Sequence, residues 1–163
     1  MFNLKLISTE GILRALEKVE RYRLLNEPEE AESICRDILN VDPDNQSAIA
    51  MLILSLSDQF PRGITPKECL ENLPKLKDDY TRTYYEGIIH ERQAKANLDR
   101  GNPGSHHDSY EYMIDAMEAY ESAIKIKPPN NDEAILRWNA CVRTIETHHL
   151  KPREKEPREP TLE

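Results

Sequence analysis

Apolar residues recur along this chain every three or four positions almost from its start. Nowhere do they alternate with polar ones as a half-buried strand requires. Ile12, Ala15, Leu16, Val19 and Tyr22 fall on one stripe of a helix beginning near Ser8, where Ser8, Thr9 and Glu10 supply capping oxygens. Asn26-Glu27-Pro28 interrupts the stripe, and Pro28 suits the first turn of the next helix. That second helix carries Ala31, Ile34, Cys35, Ile38 and Leu39 and stops at Asp42-Pro43-Asp44-Asn45, because proline resists continuation. A third, over roughly Gln46 to Phe60, is the most apolar and is expected to be the most buried. After the loop PRGITP, a short helix is expected from Pro66 to about Leu76, weakened by Pro74. A long one follows from about Asp79 to Leu98, bearing Tyr84, Gly87, Ile88 and Ala94.

The stretch DRGNPGSHHDS reads as a solvated loop. Two last helices, about Ser109 to Ile126 and Asn131 to Thr147, flank Pro128-Pro129-Asn130. The tail KPREKEPREPTLE sets Pro152, Pro157 and Pro160 among charges with no apolar period and is expected to be disordered. The division is therefore one helical domain over 1–150, with an insertion near 99–108, and a tail over 151–163.

Seven helix patterns joined mostly by short turns predict an all-α fold of antiparallel pairs, and the pairs repeat. Ala31, Cys35, Ile38 and Pro43 have the same spacing as Ala116, Tyr120, Ala123 and Pro128. Each set is followed by acidic or amide residues and a helix with an early alanine, Ala48 or Ala134. Alanines around a larger residue let one helix press close to its neighbour, and the proline fixes the turn into the next pair.

This pattern resembles the tetratricopeptide repeat, whose second helix has an alanine, an aromatic, an alanine and a proline at these intervals. Ala116, Tyr120, Ala123 and Pro128 match all four places, whereas the earlier copy keeps Ala31 and Pro43 with Cys35 and Ile38 between. Tyr22 is similar to the family's aromatic near the end of a first helix, and Gly87 to the glycine that admits a neighbouring helix. In the unit beginning near Gln46 the second helix is degenerate, with Cys69 or Leu70 near the alanine's place. The resemblance implies a right-handed superhelix of about three degenerate repeats plus a C-terminal capping helix.

Composition narrows the functional classes. At 38% hydrophobic and 32% charged, the chain must confine its apolar residues to a narrow set of contacts. Two Phe, one Trp and five Gly among so many Glu, Lys, Leu and Ala favour helix over sheet. A net charge of −8 repels phosphate backbones and anionic lipid, so neither a nucleic-acid nor a membrane partner is expected. The longest apolar run, Ala48 to Leu54, is too short to span a bilayer, and the start MFNLKLISTEG lacks an apolar leader core. These features point to a cytoplasmic protein. The unclustered Cys35, Cys69 and Cys141 read as small buried residues rather than a disulfide or metal framework.

Candidate chemistry is sparse. His106-His107 and His148-His149 read as surface residues, and the HExxH-like segment from His90 to Ala94 lacks its second ligand. No GxSxG, Walker loop or GxGxxG is present, so no catalytic, cofactor or metal residue is assigned. Tyr84 and Tyr85, with Tyr80, Tyr110 and Tyr112, concentrate aromatic surface that serves either the core or a partner, while Trp138 is expected to pack the cap helix onto Tyr120.

In the repeats this chain resembles, first helices line a groove that takes an extended peptide or a partner helix. That implies a partner-binding groove of Leu16, Arg23, Leu54, Tyr84, Ile88, Arg92, Ile135, Asn139 and Arg143, with Leu13, Glu20, Ala50 and Ser57 beside them. Of the family's carboxylate-holding clamp only Asn139 and Arg143 have counterparts, while Leu16 and Ala50 do not suit it. The expected function is a non-catalytic protein-interaction module whose partner is another protein. The alternatives are a chaperone for a secreted protein, or a helical enzyme or regulator whose site leaves no motif.

Overall fold

The computed structural model describes residues 1–155. Within them the chain is all helical: α1 (Ile12–Leu24), α2 (Pro28–Val41), α3 (Gln46–Ser57), α4 (Lys67–Asn72), α5 (Asp79–Arg100), α6 (Ser105–Ile126) and α7 (Glu133–Thr147). Single 3-10 turns stand at Thr9–Gly11, Phe60–Arg62 and Leu73–Lys75, each where sequence periodicity extends a neighbouring helix. No helix among the described residues is long and apolar enough to cross a membrane.

Local chemistry accounts for the helix starts. Ser8 accepts from the Gly11 amide, Asn45 from the Ala48 amide at 2.9 Å and Asp78 from the Thr81 amide at 2.9 Å, each side chain satisfying a first-turn donor. Pro28 opens α2, where its missing N–H costs nothing. The third helix is buried all round, from Ala48 to Ser57 except for Met51.

Helices that follow one another in the chain pack together, and their apolar faces form two clusters. One gathers α1 to α4 around Val19, Cys35, Ile38, Ile53 and Phe60, and also takes Ile89 and Ala96 from α5. The other joins α5, α6 and α7 around Met113, Tyr120 and Cys141, with Leu54 reaching in from α3. Half-buried Met51 and Tyr85 pack against both, so α3 and α5 form the seam.

The two four-residue sets that repeat in the sequence have equivalent places. Ala31, Cys35 and Ile38 on α2 are fully buried, and so are Ala116, Tyr120 and Ala123 on α6. Pro43 and Pro128 are exposed and stand two residues after the ends of their helices. Trp138 packs against the cluster that contains Tyr120.

The region expected to be a long loop is mostly helix. Gly101 caps α5 with φ 62°, its amide donating to Asn97 O, and Gly104 at φ 79° precedes α6. Left-handed backbone at two glycines reverses the chain within residues 101–104. The sequence from Ser105 to Asp108, expected outside the helix, is its first turn, and buried Ser109 donates to Ala94 O at 3.1 Å. Lys151 to Lys155 carry no regular structure, but Arg153 meets Asp108 at 2.6 Å and Leu150 is buried. The rest of the tail expected to be disordered, 156–163, lies outside the described residues.

Helices α5 and α6 approach closely at Gly87. A Cβ there would stand 2.6 and 2.8 Å from Tyr120 Cδ1 and Cζ, and the ring is fully buried and cannot retreat. Gly87→Ala is therefore expected to destabilise by about 1–3 kcal/mol, although the same change adds about 1 kcal/mol in an unhindered helix. A melting temperature above wild type would refute this close approach. Ala123→Leu should likewise cost about 1–3 kcal/mol, whereas Glu118→Leu on the exposed face of α6 should change little. Equal melting points for these two variants would show the packing to be misassigned.

Candidate functional site

A concave pocket of about 530 Å³ opens between alternate helices. Arg23 of α1 and Leu54 of α3 form one side, and Glu133 and Arg137 of α7 the other. Its floor is one face of α5, where Tyr84, Tyr85, Ile88, Glu91, Arg92 and Lys95 follow helical spacing. None of α2, α4 or α6 lends a lining residue.

Two buried or half-buried carboxylates organise the polar part. Glu91 is only 3% exposed and takes hydrogen bonds from three helices. Arg137 reaches it with two nitrogens, Lys95 Nζ lies 2.6 Å away, and the Tyr120 hydroxyl donates at 3.1 Å. The Cys141 thiol donates at 3.6 Å. Burial opposes the charged form of Glu91, but the hydrogen bonds and charges of Arg137 and Lys95 outweigh it and hold the carboxyl below its usual range.

Asp58, just past α3, is the second centre. Arg23 grips it through Nε at 2.8 Å and Nη2 at 3.4 Å, and Arg92 Nη1 approaches its Oδ1 at 2.6 Å. Arg92 Nη1 also reaches Ser57 Oγ at 2.7 Å and the Leu54 carbonyl at 3.1 Å, both at the end of α3. An arginine suits this task because its planar donors serve several acceptors at once. Burial pulls the Arg92 guanidinium down against the opposing charge of Asp58.

The aromatic wall is layered. Tyr80 and Tyr84 stack with centroids 5.9 Å apart, while Tyr84 meets Tyr85 edge-on at 5.4 Å and Tyr120 at a tilt at 5.9 Å. Burial, helped by Glu133, pushes the Tyr84 hydroxyl up to about 12, so it remains a donor at neutral pH. Tyr85 is raised by the same two causes.

The structure brings Arg23, Leu54, Tyr84, Ile88 and Arg92 to one pocket. It does not bring Leu16, Ile135, Asn139 or Arg143 there. Leu16 is half-buried against the first cluster. On α7 the packed face runs through Ala134 and Cys141, so Glu133 and Arg137 turn to the pocket and the Ile135, Asn139, Arg143 row points elsewhere. The sequence leaves Tyr85 open between core and partner surface, and gives no groove role to Glu91, Lys95, Glu133 or Arg137. Glu91 had a signal: it is an acid on the same stripe as Tyr84, Gly87, Ile88 and Ala94.

Other chemistry is limited. Cys35, Cys69 and Cys141 are free and buried, and burial pushes each thiol up to about 12, which keeps it protonated. Among the described residues no group of three or more His, Cys, Asp or Glu side chains is placed to share a metal ion. Compared with protein-family models, curated proteins and solved structures, the chain matches none.

The Glu91 network sets an acid limit. Its folded carboxyl titrates below the ordinary glutamate value of about 4.5, so its contribution is complete above that pH and lost as pH falls through the folded value. Glu91→Gln should cost about 1–3 kcal/mol at pH 7, through donors left poorly satisfied. The gap from wild type should narrow below about pH 4.5. Glu29, Glu68 and Asp78 are also lowered and titrate in both proteins, so the difference isolates Glu91. Denaturant melts across this range that run parallel would remove Glu91 from the acid response.

Proposed function

We propose that this chain is a non-catalytic protein-interaction module. It is a small right-handed superhelix of about three degenerate tetratricopeptide-type helix pairs, closed by α7. One observation carries the reading: the pocket is lined by α1, α3, α5 and α7 and by none of the helices between them. Alternation of this kind follows when the first helix of every pair faces one concavity and the second helix backs it. The fully buried sets on α2 and α6 support the same pairing.

The pocket suits a protein segment better than a small molecule undergoing reaction. It carries a wall of tyrosines, and its arginines Arg23, Arg92 and Arg137 pair with carboxylates of neighbouring helices or their ends. Tyr and Arg recur as interface hot spots because each combines contact area with a polar group. The partner is another protein, and an extended peptide or an amphipathic helix would present enough surface.

A partner isolated with the tagged chain from its source organism provides the test. Tyr84→Ala should weaken its binding at least tenfold, about 1.4 kcal/mol, with helicity retained. Arg143→Ala, outside the pocket, should leave affinity unchanged, as should Glu118→Ala with Lys125→Ala on the outer face of α6. A partner that binds the Tyr84 variant as tightly as wild type would exclude the pocket as its docking site.

A further inference from the structure

We propose that the pocket selects an acidic segment of its partner, one whose Asp or Glu side chains reach the unshared N–H groups of Arg23, Lys95 and Arg137. The inference deepens the groove reading above and rests on it. Four cations, Arg23, Arg92, Lys95 and Arg137, converge here on two carboxylates, Asp58 and Glu91. The third acid of the pocket, Glu133, makes no ion pair among the described residues and stands beside the tyrosine wall. Cations therefore outnumber acids locally in a chain whose net charge is −8.

Donor capacity remains after the internal pairs are made. Arg23 uses Nε and Nη2 on Asp58, and Arg137 uses Nε and Nη2 on Glu91, which leaves Nη1 of each without a partner among the described residues. Lys95 spends one of its three N–H groups on Glu91. The three side chains keep 21%, 34% and 45% of their surface for Arg23, Arg137 and Lys95 respectively, and all three line the pocket. A carboxylate arriving there gains charge-assisted hydrogen bonds from side chains already fixed by Asp58 and Glu91. Tyr84 and Ile88 beside them provide an apolar rest for a neighbouring residue. A nucleic acid offers the same charge, but an extended polyanion would also meet the acidic remainder of the surface.

The double pairing also makes the test clean. Arg23→Gln with Lys95→Gln removes two cations, yet Asp58 keeps Arg92 and Glu91 keeps Arg137. The probes are fluorescent peptides of repeated Glu-Glu-Leu, Gln-Gln-Leu and Lys-Lys-Leu, blocked at both ends so that no terminal charge contributes, with an oligothymidylate as the nucleic-acid arm. Fluorescence anisotropy should show the Glu peptide binding wild type at least tenfold more tightly than the Gln peptide. Added salt should shrink that preference. The double variant should lose it while keeping its helicity, and Glu133→Gln should strengthen it. Equal binding of the Glu and Gln peptides, tighter binding of the Lys peptide or the oligothymidylate, or an unaffected double variant would each overturn the proposal. If the Lys peptide binds and Tyr84→Ala weakens it, the groove survives and only its charge preference fails. If the Glu peptide binds while the double variant and Tyr84→Ala are both silent, the groove itself is excluded.

Discussion

Glu91 and Arg92 are adjacent on α5 and carry opposite charges, and between them they reach every other helix that faces the pocket. Glu91 draws in Arg137 of α7 and the hydroxyl of Tyr120 on α6. Arg92 draws in the end of α3, and through Asp58 it shares a counter-ion with Arg23 of α1. A buried carboxylate without partners would be costly, and a half-buried guanidinium only slightly less so. Each therefore fixes where its neighbours must stand. The apolar clusters on either side of α5 hold the helices together, but dispersion is indifferent to small slides, whereas a hydrogen-bonded charge is not.

This division of labour is visible along one stripe of α5. Gly87 lies against the Tyr120 ring and the Ala94 carbonyl accepts from Ser109, so α6 comes close there. Glu91 stands between them on the same stripe and accepts from the Tyr120 hydroxyl at 3.1 Å. Beside it Tyr84, Tyr85, Ile88, Arg92 and Lys95 line the pocket towards α1, α3 and α7. One helix thus seats α6 through its small residues and furnishes the opening through its large ones.

Most of the helical layout is legible in the sequence because each helix has an apolar stripe, a capping side chain or a proline at its edge. Ser8, Asn45 and Asp78 act as caps where capping residues precede apolar runs, and Pro28 opens a helix as its fixed φ favours. The turn at 101–104 was harder to read. Glycine, proline and histidine together suggest a long loop, but two left-handed glycines suffice to reverse the chain, and Ser105 to Asp108 then have no reason not to be helical. On α5 the pocket residues Tyr84, Ile88 and Arg92 are ones that the resemblance implies for a groove, and they share one face of the helix. On α7 Ala134, Trp138, Cys141 and Ile145 make the packed stripe, and the row that the resemblance implies for the groove, Ile135, Asn139 and Arg143, lies beside it rather than on the side of Glu133 and Arg137.

What the sequence conceals is the sharing of charge inside the pocket. Counting residues gives an acidic protein, and an apolar groove with a few arginines. It does not show that Asp58 and Glu91 are each held by two cations, because three of those four cations come from positions 34 to 46 residues away. Long-range pairing of this kind has no local periodicity to betray it. Its consequence is that the inner surface differs electrically from the outer one, and specificity on such a surface arises from donors that are already oriented before a partner arrives. The carboxylates that lock the helices thus also orient the cations whose remaining N–H groups the proposed acidic segment would meet, so that proposal rests on the same few side chains that hold the helices.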